Sequence, residues 1–174
     1  MPRSPYGEEK RLAEQLCANY AELYGIETKI ARGFAFVGPY LPLDAHFAAG
    51  NFIRDGLRGW PIIVKDGTPY RSYLYAADLA IWLWTILCYG EVNRPYNVGS
   101  EIATTIEGLS GAVAKSFEPR AKVCAVKAAV PGESARRYVP RTRRAQAELG
   151  LRQTVDLSEA IKRTIRFEKQ RQRL

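Results

Sequence analysis

A single histidine, His46, in a chain of 174 residues leaves little material for a histidine-rich metal site or a Ser-His-Asp triad. The three cysteines, Cys17, Cys88 and Cys124, are odd in number, widely spaced and without a C-x-x-C pair, which argues against disulfides and a zinc site. Membrane-length apolar runs are missing too. The window from Ala76 to Gly90 is interrupted by Asp78 and is shorter than the ~20 residues a span requires, so it reads as a buried helix. No apolar stretch follows Met1-Pro2-Arg3-Ser4, so a secretory leader is not expected and the cytoplasm is the expected compartment. Internal repeats and low-complexity segments are absent.

What is present is enough for a packed core. The chain is 47% hydrophobic and 25% charged, the composition of a globular domain. Its net charge of +8 is confined to one end: residues 136–174 hold 12 Lys/Arg against 4 Asp/Glu, whereas residues 1–135 hold 14 of each. Such an end can meet nucleic acid or simply form a solvated helix. Only Tyr138 and Phe167 interleave the basic residues, so nucleic acid is not the expected partner.

Apolar residues at Leu12, Leu16, Tyr20, Leu23 and Tyr24 predict an amphipathic helix over 6–24, closed by Gly25. A strand is expected over Thr28–Val37, rich in β-formers and ended by Gly38-Pro39. Phe47–Leu57 has helical spacing, Ile62–Val64 reads as a short strand, and Arg71–Tyr75 alternates as a strand. A helix from about Ala77 follows, with Asp78 in its capping region and Leu79, Trp82, Leu83, Ile86 and Leu87 on its face. Further strands are expected at 95–98 and 121–130, and further helices after Thr104 or Thr105, over 141–149 and over 157–169. Helices leading into strands indicate an α/β chain.

Tyr6 and Lys10 stand four residues apart at a helix start, on one face. A phenol titrates near ~10 in water, and a neighbouring ammonium stabilises its phenolate, which would ease proton exchange with a substrate hydroxyl. The same spacing also fits a tyrosine packed at a helix start under a solvated lysine.

The order of motifs narrows the choice. Tyr6-x-x-x-Lys10 is followed by Arg32-Gly33-Phe34-Ala35-Phe36-Val37-Gly38-Pro39, Gly50-Asn51-Phe52-Ile53, Asp66-Gly67, Arg71-Ser72-Tyr73-Leu74-Tyr75, Asp78-Leu79-Ala80 and Tyr96-Asn97-Val98-Gly99. Tyr138-Val139-Pro140 and Glu148-Leu149-Gly150-Leu151 close the series. This order resembles the extended short-chain dehydrogenase/reductases, the NAD-dependent epimerases and dehydratases of nucleotide sugars, from Tyr6 to about Thr164.

The resemblance implies an α/β fold: the C-terminal part of a Rossmann-like sheet, in residues 1–40, and a small α/β substrate-binding domain, mainly residues 41–174. It implies Tyr6 as the acid/base, Lys10 as its partner and ribose contact, and Phe34 beside the nicotinamide of NAD. Asn51, Arg71, Asn97 and Arg137 would contact the diphosphate of the nucleotide sugar; Arg136 is the alternative to Arg137. A guanidinium independently suits Arg71 to that task, since it grips two phosphate oxygens in a fork. A surface strand arginine, and asparagines that cap or turn, fit the same positions.

The implied reaction is 4,6-dehydration, 4-epimerisation or decarboxylation through a 4-keto sugar. A homodimer through the Tyr6–Tyr24 helix is a further expectation. Two departures from the family pattern stand out. Ala35 replaces a commonly found asparagine, and the glycine-rich β-α-β unit that approaches the dinucleotide pyrophosphate is missing, together with the upstream Ser/Thr and the dehydratase Asp-Glu pair. The expectation is therefore a C-terminal half, with roughly 130 further residues in a complete enzyme, that binds NAD poorly alone. A non-catalytic sugar-nucleotide-binding or interaction remnant is the alternative.

Overall fold

The computed structural model describes residues 5–125 and 135–172. Helix α1 (Pro5–Tyr24) starts on a proline whose missing N–H costs nothing in a first turn. It ends at Gly25, whose φ of 66° is left-handed and whose N–H reaches the Ala21 carbonyl. Strand β1 (Ile30–Gly33) follows.

The expected strand over 28–37 is in fact two strands. Phe34 donates its N–H to Val98, whereas the next carbonyl, Ala35, accepts from Leu74, so the chain changes neighbours between adjacent residues. β2 (Phe36–Val37) therefore belongs to a different sheet. The 71–75 strand divides in the same way, into β4 (Tyr70–Arg71) and β5 (Leu74–Tyr75), after β3 (Ile62–Val64). Of the 121–130 strand, β8 (Val123–Ala125) forms, and 126–130 lie outside the described residues.

Two layers result. In the first, β1 pairs in parallel with β6 (Pro95–Val98), in a register that sets Gly33 beside Val98. Helix α3 (Ala76–Tyr89) and helix α5 (Arg143–Leu149) pack beside this pair, around buried Trp82, Ile86, Tyr96, Val98, Ala145 and Leu151. In the second, α2 (Ala48–Leu57), α4 (Ile106–Ala114) and α6 (Leu157–Arg171) enclose Phe52, Ile53, Leu109, Val113 and Ile161 with the parallel pair β3–β8. The parallel pair β2–β5 lies between the layers in sequence, and a three-stranded ribbon runs β7 (Thr104–Thr105), β4, β9 (Arg137–Tyr138).

Caps follow the sequence. Thr105 accepts from the Gly108 N–H at 2.9 Å, Asp156 accepts from the Glu159 N–H at 2.9 Å, and Gly150 ends α5 at φ 65°.

Two expectations need correction. Asp78 does not cap α3; it sits in the first turn, and its buried carboxylate accepts from the Thr154 N–H and hydroxyl and from the Val155 N–H. Nor is α3 buried all round. Trp82 and Ile86 face the β1–β6 pair, but Ile81, Leu83, Trp84 and Leu87 are exposed, because the described residues cover one side of the helix only. The apolar stripe of α1 points away from the body, an open face of the kind a homodimer through this helix requires. The half-buried inward side is Glu14, Cys17, Ala18 and Ala21, and Leu12, Leu16, Tyr20 and Leu23 lie open. No helix among the described residues is long and apolar enough to cross a membrane.

Candidate functional site

β1 and β6 are parallel, so their C-terminal ends open on the same side, where α/β sheets hold ligands. Phe34 stands at that end. Gly99, just beyond β6, is packed so closely that a Cβ there would meet Pro140 at 2.9 Å and Phe34 at 3.2 Å. This contact brings the segment after β9 onto the sheet end.

The β4–β9 pair supplies the charge. Its parallel register sets Tyr70 beside Arg137 and Arg71 beside Tyr138. Each arginine lies against an aromatic ring of the other strand: the Arg71 guanidinium is 5.9 Å from the centre of Tyr138, and that of Arg137 is 5.4 Å from the centre of Tyr70. Tyr138 also packs on Phe34, with ring centres 4.8 Å apart. Phe34, Tyr138 and Arg71 thus form a continuous stack from the sheet end to the ribbon. Arg71 is further held by donating to the Tyr70 carbonyl at 2.8 Å.

Because side chains alternate along a strand, the two guanidiniums leave the ribbon on opposite faces. The structure does not bring Arg137 to Arg71; alternation instead returns Arg136, whose carbonyl accepts from the Tyr70 N–H, to the Arg71 side.

The asparagines are tied to the protein. Asn97 donates to the Arg141 carbonyl at 2.8 Å, joining β6 to the approach of α5. Asn51, in the first turn of α2, satisfies its amide when the nitrogen faces the Leu43 and Ala45 carbonyls, each at 3.0 Å, which pins the loop before the helix. Tyr6 and Lys10 do meet, the ammonium standing 5.2 Å from the ring centre. Tyr6 is 66% exposed, and among the described residues neither hydrogen bonds nor ring contacts join this pair to Phe34 or Arg71.

Tyr138 and Tyr73 were missed from sequence. Tyr73 is buried beside the ribbon, and burial pushes its phenol up to about 12, with Arg71 pulling the other way. The signal for Tyr138 was available in the paired dipeptides Tyr70-Arg71 and Arg137-Tyr138, whose parallel alignment sets each cation opposite a ring.

Comparison with known proteins decides the family. Residues 1–99 match the model of the NAD dependent epimerase/dehydratase family. The chain belongs to this family. UDP-glucuronic acid decarboxylase 6 of Arabidopsis thaliana is 32% identical over 160 residues, covering 91% of this chain and 46% of that protein. UDP-glucuronic acid decarboxylase 1 of Danio rerio is 28% identical, covering 95% and 39%. The chain spans less than half the length of these curated relatives.

Among solved structures, a UDP-glucose 4-epimerase of Thermotoga maritima with UDP-glucose superimposes at a TM-score of 0.86 and 24% identity, over 99% of this chain and 55% of that one. A dTDP-glucose 4,6-dehydratase of Bacillus anthracis in complex with NAD gives 0.80 and 18%, over 99% and 54%. These likenesses establish the Rossmann-like α/β fold.

The family's name carries NAD, but the described residues do not fit the whole dinucleotide. A pyrophosphate needs glycines that leave the backbone open at a strand-to-helix turn. Here the glycine that ends β1 and the one after β6 have side chains close by: a Cβ on Gly33 would lie 3.3 Å from the Phe36 ring, and one on Gly99 would meet Pro140 at 2.9 Å and Phe34 at 3.2 Å. Neither strand leads directly into a helix. Tyr6 and Lys10 are of a type suited to a ribose and a sugar hydroxyl.

Proposed function

We propose that this chain is the sugar-nucleotide-handling half of an NAD-dependent epimerase, dehydratase or decarboxylase, acting on a nucleotide-diphosphate sugar in an assembly that forms a 4-keto sugar. The observation that carries the reading is the Phe34–Tyr138–Arg71 stack at the C-terminal ends of β1 and β6. A permanent cation oriented by a ring and a carbonyl supports a diphosphate-holding role for Arg71. The UDP-glucuronic acid decarboxylases that the chain resembles make a UDP-sugar the first ligand to test.

In this reading Arg71 holds the diphosphate and Arg136 adds the second cation. Arg137 supports the ribbon by covering Tyr70. Asn97 and Asn51 shape the walls by holding the segments around them. Tyr6 exchanges a proton with a sugar hydroxyl while Lys10 stabilises the phenolate, and Phe34 forms the floor. Residues 1–40 contribute the cofactor side and residues 41–174 mainly the substrate side. The open apolar stripe of α1 is the proposed homodimer face, and the cytoplasm remains the proposed compartment.

Calorimetric titration with UDP-glucuronate, UDP-glucose and dTDP-glucose tests the reading. Arg71→Ala is expected to abolish most of the heat, and equal isotherms for wild type and variant would refute the diphosphate role. The non-catalytic remnant differs in one measurement: binding would persist while mutation of Tyr6 changed nothing in any assembled enzyme.

A further inference from the structure

We infer that the cleft between the Tyr40–Ala45 loop and the C-terminal turns of α2 and α6 is a second ligand site, built for a small organic acid that carries hydroxyl groups. It stands apart from the sugar-nucleotide reading, because Phe34, Arg71 and Tyr138 are not among its walls. The cleft holds about 440 Å³, within the ~300–1,000 Å³ of small-molecule sites, and Leu41, Leu43 and Leu57 give it an apolar side.

Glu168 is the deciding residue. It lies in the last turns of α6 and is 3% exposed, and its Oε1 is buried without a hydrogen bond among the described residues. Arg171 Nη1, at 3.7 Å, forms an ion pair with it but stands beyond hydrogen-bond range. A carboxylate withdrawn from water and left short of donors is costly, so folding alone gives no reason to keep one here. A ligand hydroxyl would supply the missing donor.

The cations call for an acid. Three guanidiniums, those of Arg54, Arg58 and Arg171, line the cleft against two carboxylates, Asp44 and Glu168. Arg54 is taken up by Asp55 at 2.7 Å, with Asp44 at 3.4 Å. Arg58 has no carboxylate partner among the described residues; it rests on the Trp60 ring, 4.8 Å from its centre. Its donors are therefore open to a ligand carboxylate.

The helix ends select among acids. Both helices reach the cleft with their C-terminal turns, whose carbonyls are partly negative. A compact phosphate would meet that charge and Glu168 together, whereas a hydroxy acid can turn its carboxylate to Arg58 and its hydroxyls to the acceptors. At the rim, Tyr40 holds a left-handed backbone, φ 63°, with its ring centre 4.8 Å from that of Phe167. Strain of this kind recurs at ligand clamps, and here it keeps the loop against α6.

The test is calorimetric titration of the full chain with D-glucuronate, D-glucose, inorganic phosphate and D-glucosamine. Glucuronate is expected to bind one-to-one, and the other three, which each lack one required group, about 10-fold more weakly or worse. Glu168→Met should weaken glucuronate about 10- to 100-fold, yet raise the melting temperature of the unliganded protein by about 2–4 °C, because a thioether fills the space without a stranded charge. Arg58→Ala, at an exposed position, should weaken glucuronate to a similar degree with melting unchanged, and it decides the matter if Glu168→Met does not fold. Arg71→Ala should bind glucuronate like wild type, which separates failure here from failure of the sugar-nucleotide reading. Absence of glucuronate binding, tighter binding of phosphate or glucosamine, a Glu168→Met protein that melts lower, or unaltered glucuronate affinity in Arg58→Ala would each overturn the inference.

Discussion

Arg32 meets Glu14 through two parallel hydrogen bonds, Nε at 2.7 Å from one carboxylate oxygen and Nη2 at 2.6 Å from the other. This fork ties α1 to β1, and it is the main polar link between the helix and the body, since no residue of α1 is buried. The guanidinium holds the Glu14 carboxyl below its ordinary value. A depressed carboxyl contributes its stability above the unfolded value and loses it as pH falls through the folded one.

Acidification below about pH 4.5 is therefore expected to loosen α1 before the rest of the fold. Glu14→Gln should produce the same loosening at neutral pH. Amide exchange within α1, read beside exchange in α2 as an internal reference, checks this. Equal protection in variant and wild type would remove the pair from the account. The pair is partly solvated, so its effect on global stability should stay within about 1 kcal/mol.

A second prediction concerns the two arginine-aromatic pairs. If Arg71 holds a diphosphate with charge-assisted bonds of about 1.5–3 kcal/mol, Arg71→Ala should weaken UDP binding about 10- to 100-fold. Arg71→Lys should recover only part of it, because an ammonium cannot reproduce the fork. Tyr138→Phe should bind like wild type, whereas Tyr138→Ala loses the ring that orients Arg71 and should cost about 3- to 10-fold. Arg137→Ala, on the other face of the ribbon, should stay within about twofold of wild type. An Arg137 variant weaker than Arg71→Ala would reverse the assignment of faces.

Local chemistry made the helices legible. Gly25 and Gly150 adopt the left-handed backbone that a glycine stop allows, and Thr105 caps as its hydroxyl permits. The strands were not legible to the same degree, because what divides 28–37 and 70–75 is a change of partner. Nothing near Phe34 or Ala35 in the chain says that one bonds Val98 and the other Leu74. The same non-local cause sets Arg71 and Arg137 on opposite faces, since the direction of each depends on the β4–β9 register. The α1 stripe was found at its true spacing, but periodicity says which residues share a face and not what meets it.

Asp78 illustrates that limit and carries its own prediction. Its carboxylate, 1% exposed, accepts from the Thr154 N–H at 3.1 Å, the Thr154 hydroxyl at 2.5 Å and the Val155 N–H at 3.2 Å. Those bonds fasten the segment before α6 to the start of α3, linking the two layers. Asp78→Ala leaves the donors without an acceptor and should lower stability by about 1–3 kcal/mol. Thr154→Val, which removes only the hydroxyl, should cost about 1 kcal/mol. Urea midpoints for the two variants give the comparison, and equal losses would show that the backbone donors find water instead.

Tyr73 provides a pH test that involves no ligand. Burial in the core raises its phenol from 10.0 to about 12, the opposing field of Arg71 being the smaller influence. The folded state therefore keeps its proton longer than the unfolded chain does. Stability from this source is intact below pH 10, falls as the unfolded phenol ionises, and is lost once the folded value near 12 is passed. A gap of that size corresponds to about 3 kcal/mol. Tyr73→Phe should lower stability modestly at neutral pH through any lost polar contact, yet flatten the alkaline limb of the stability curve between pH 10 and 12. The ultraviolet difference between wild type and variant, followed with pH, should show one phenol ionising late in the native protein and near its ordinary value in urea. A difference band that rises near pH 10 under native conditions would mean that water reaches Tyr73 and that the ribbon core is open.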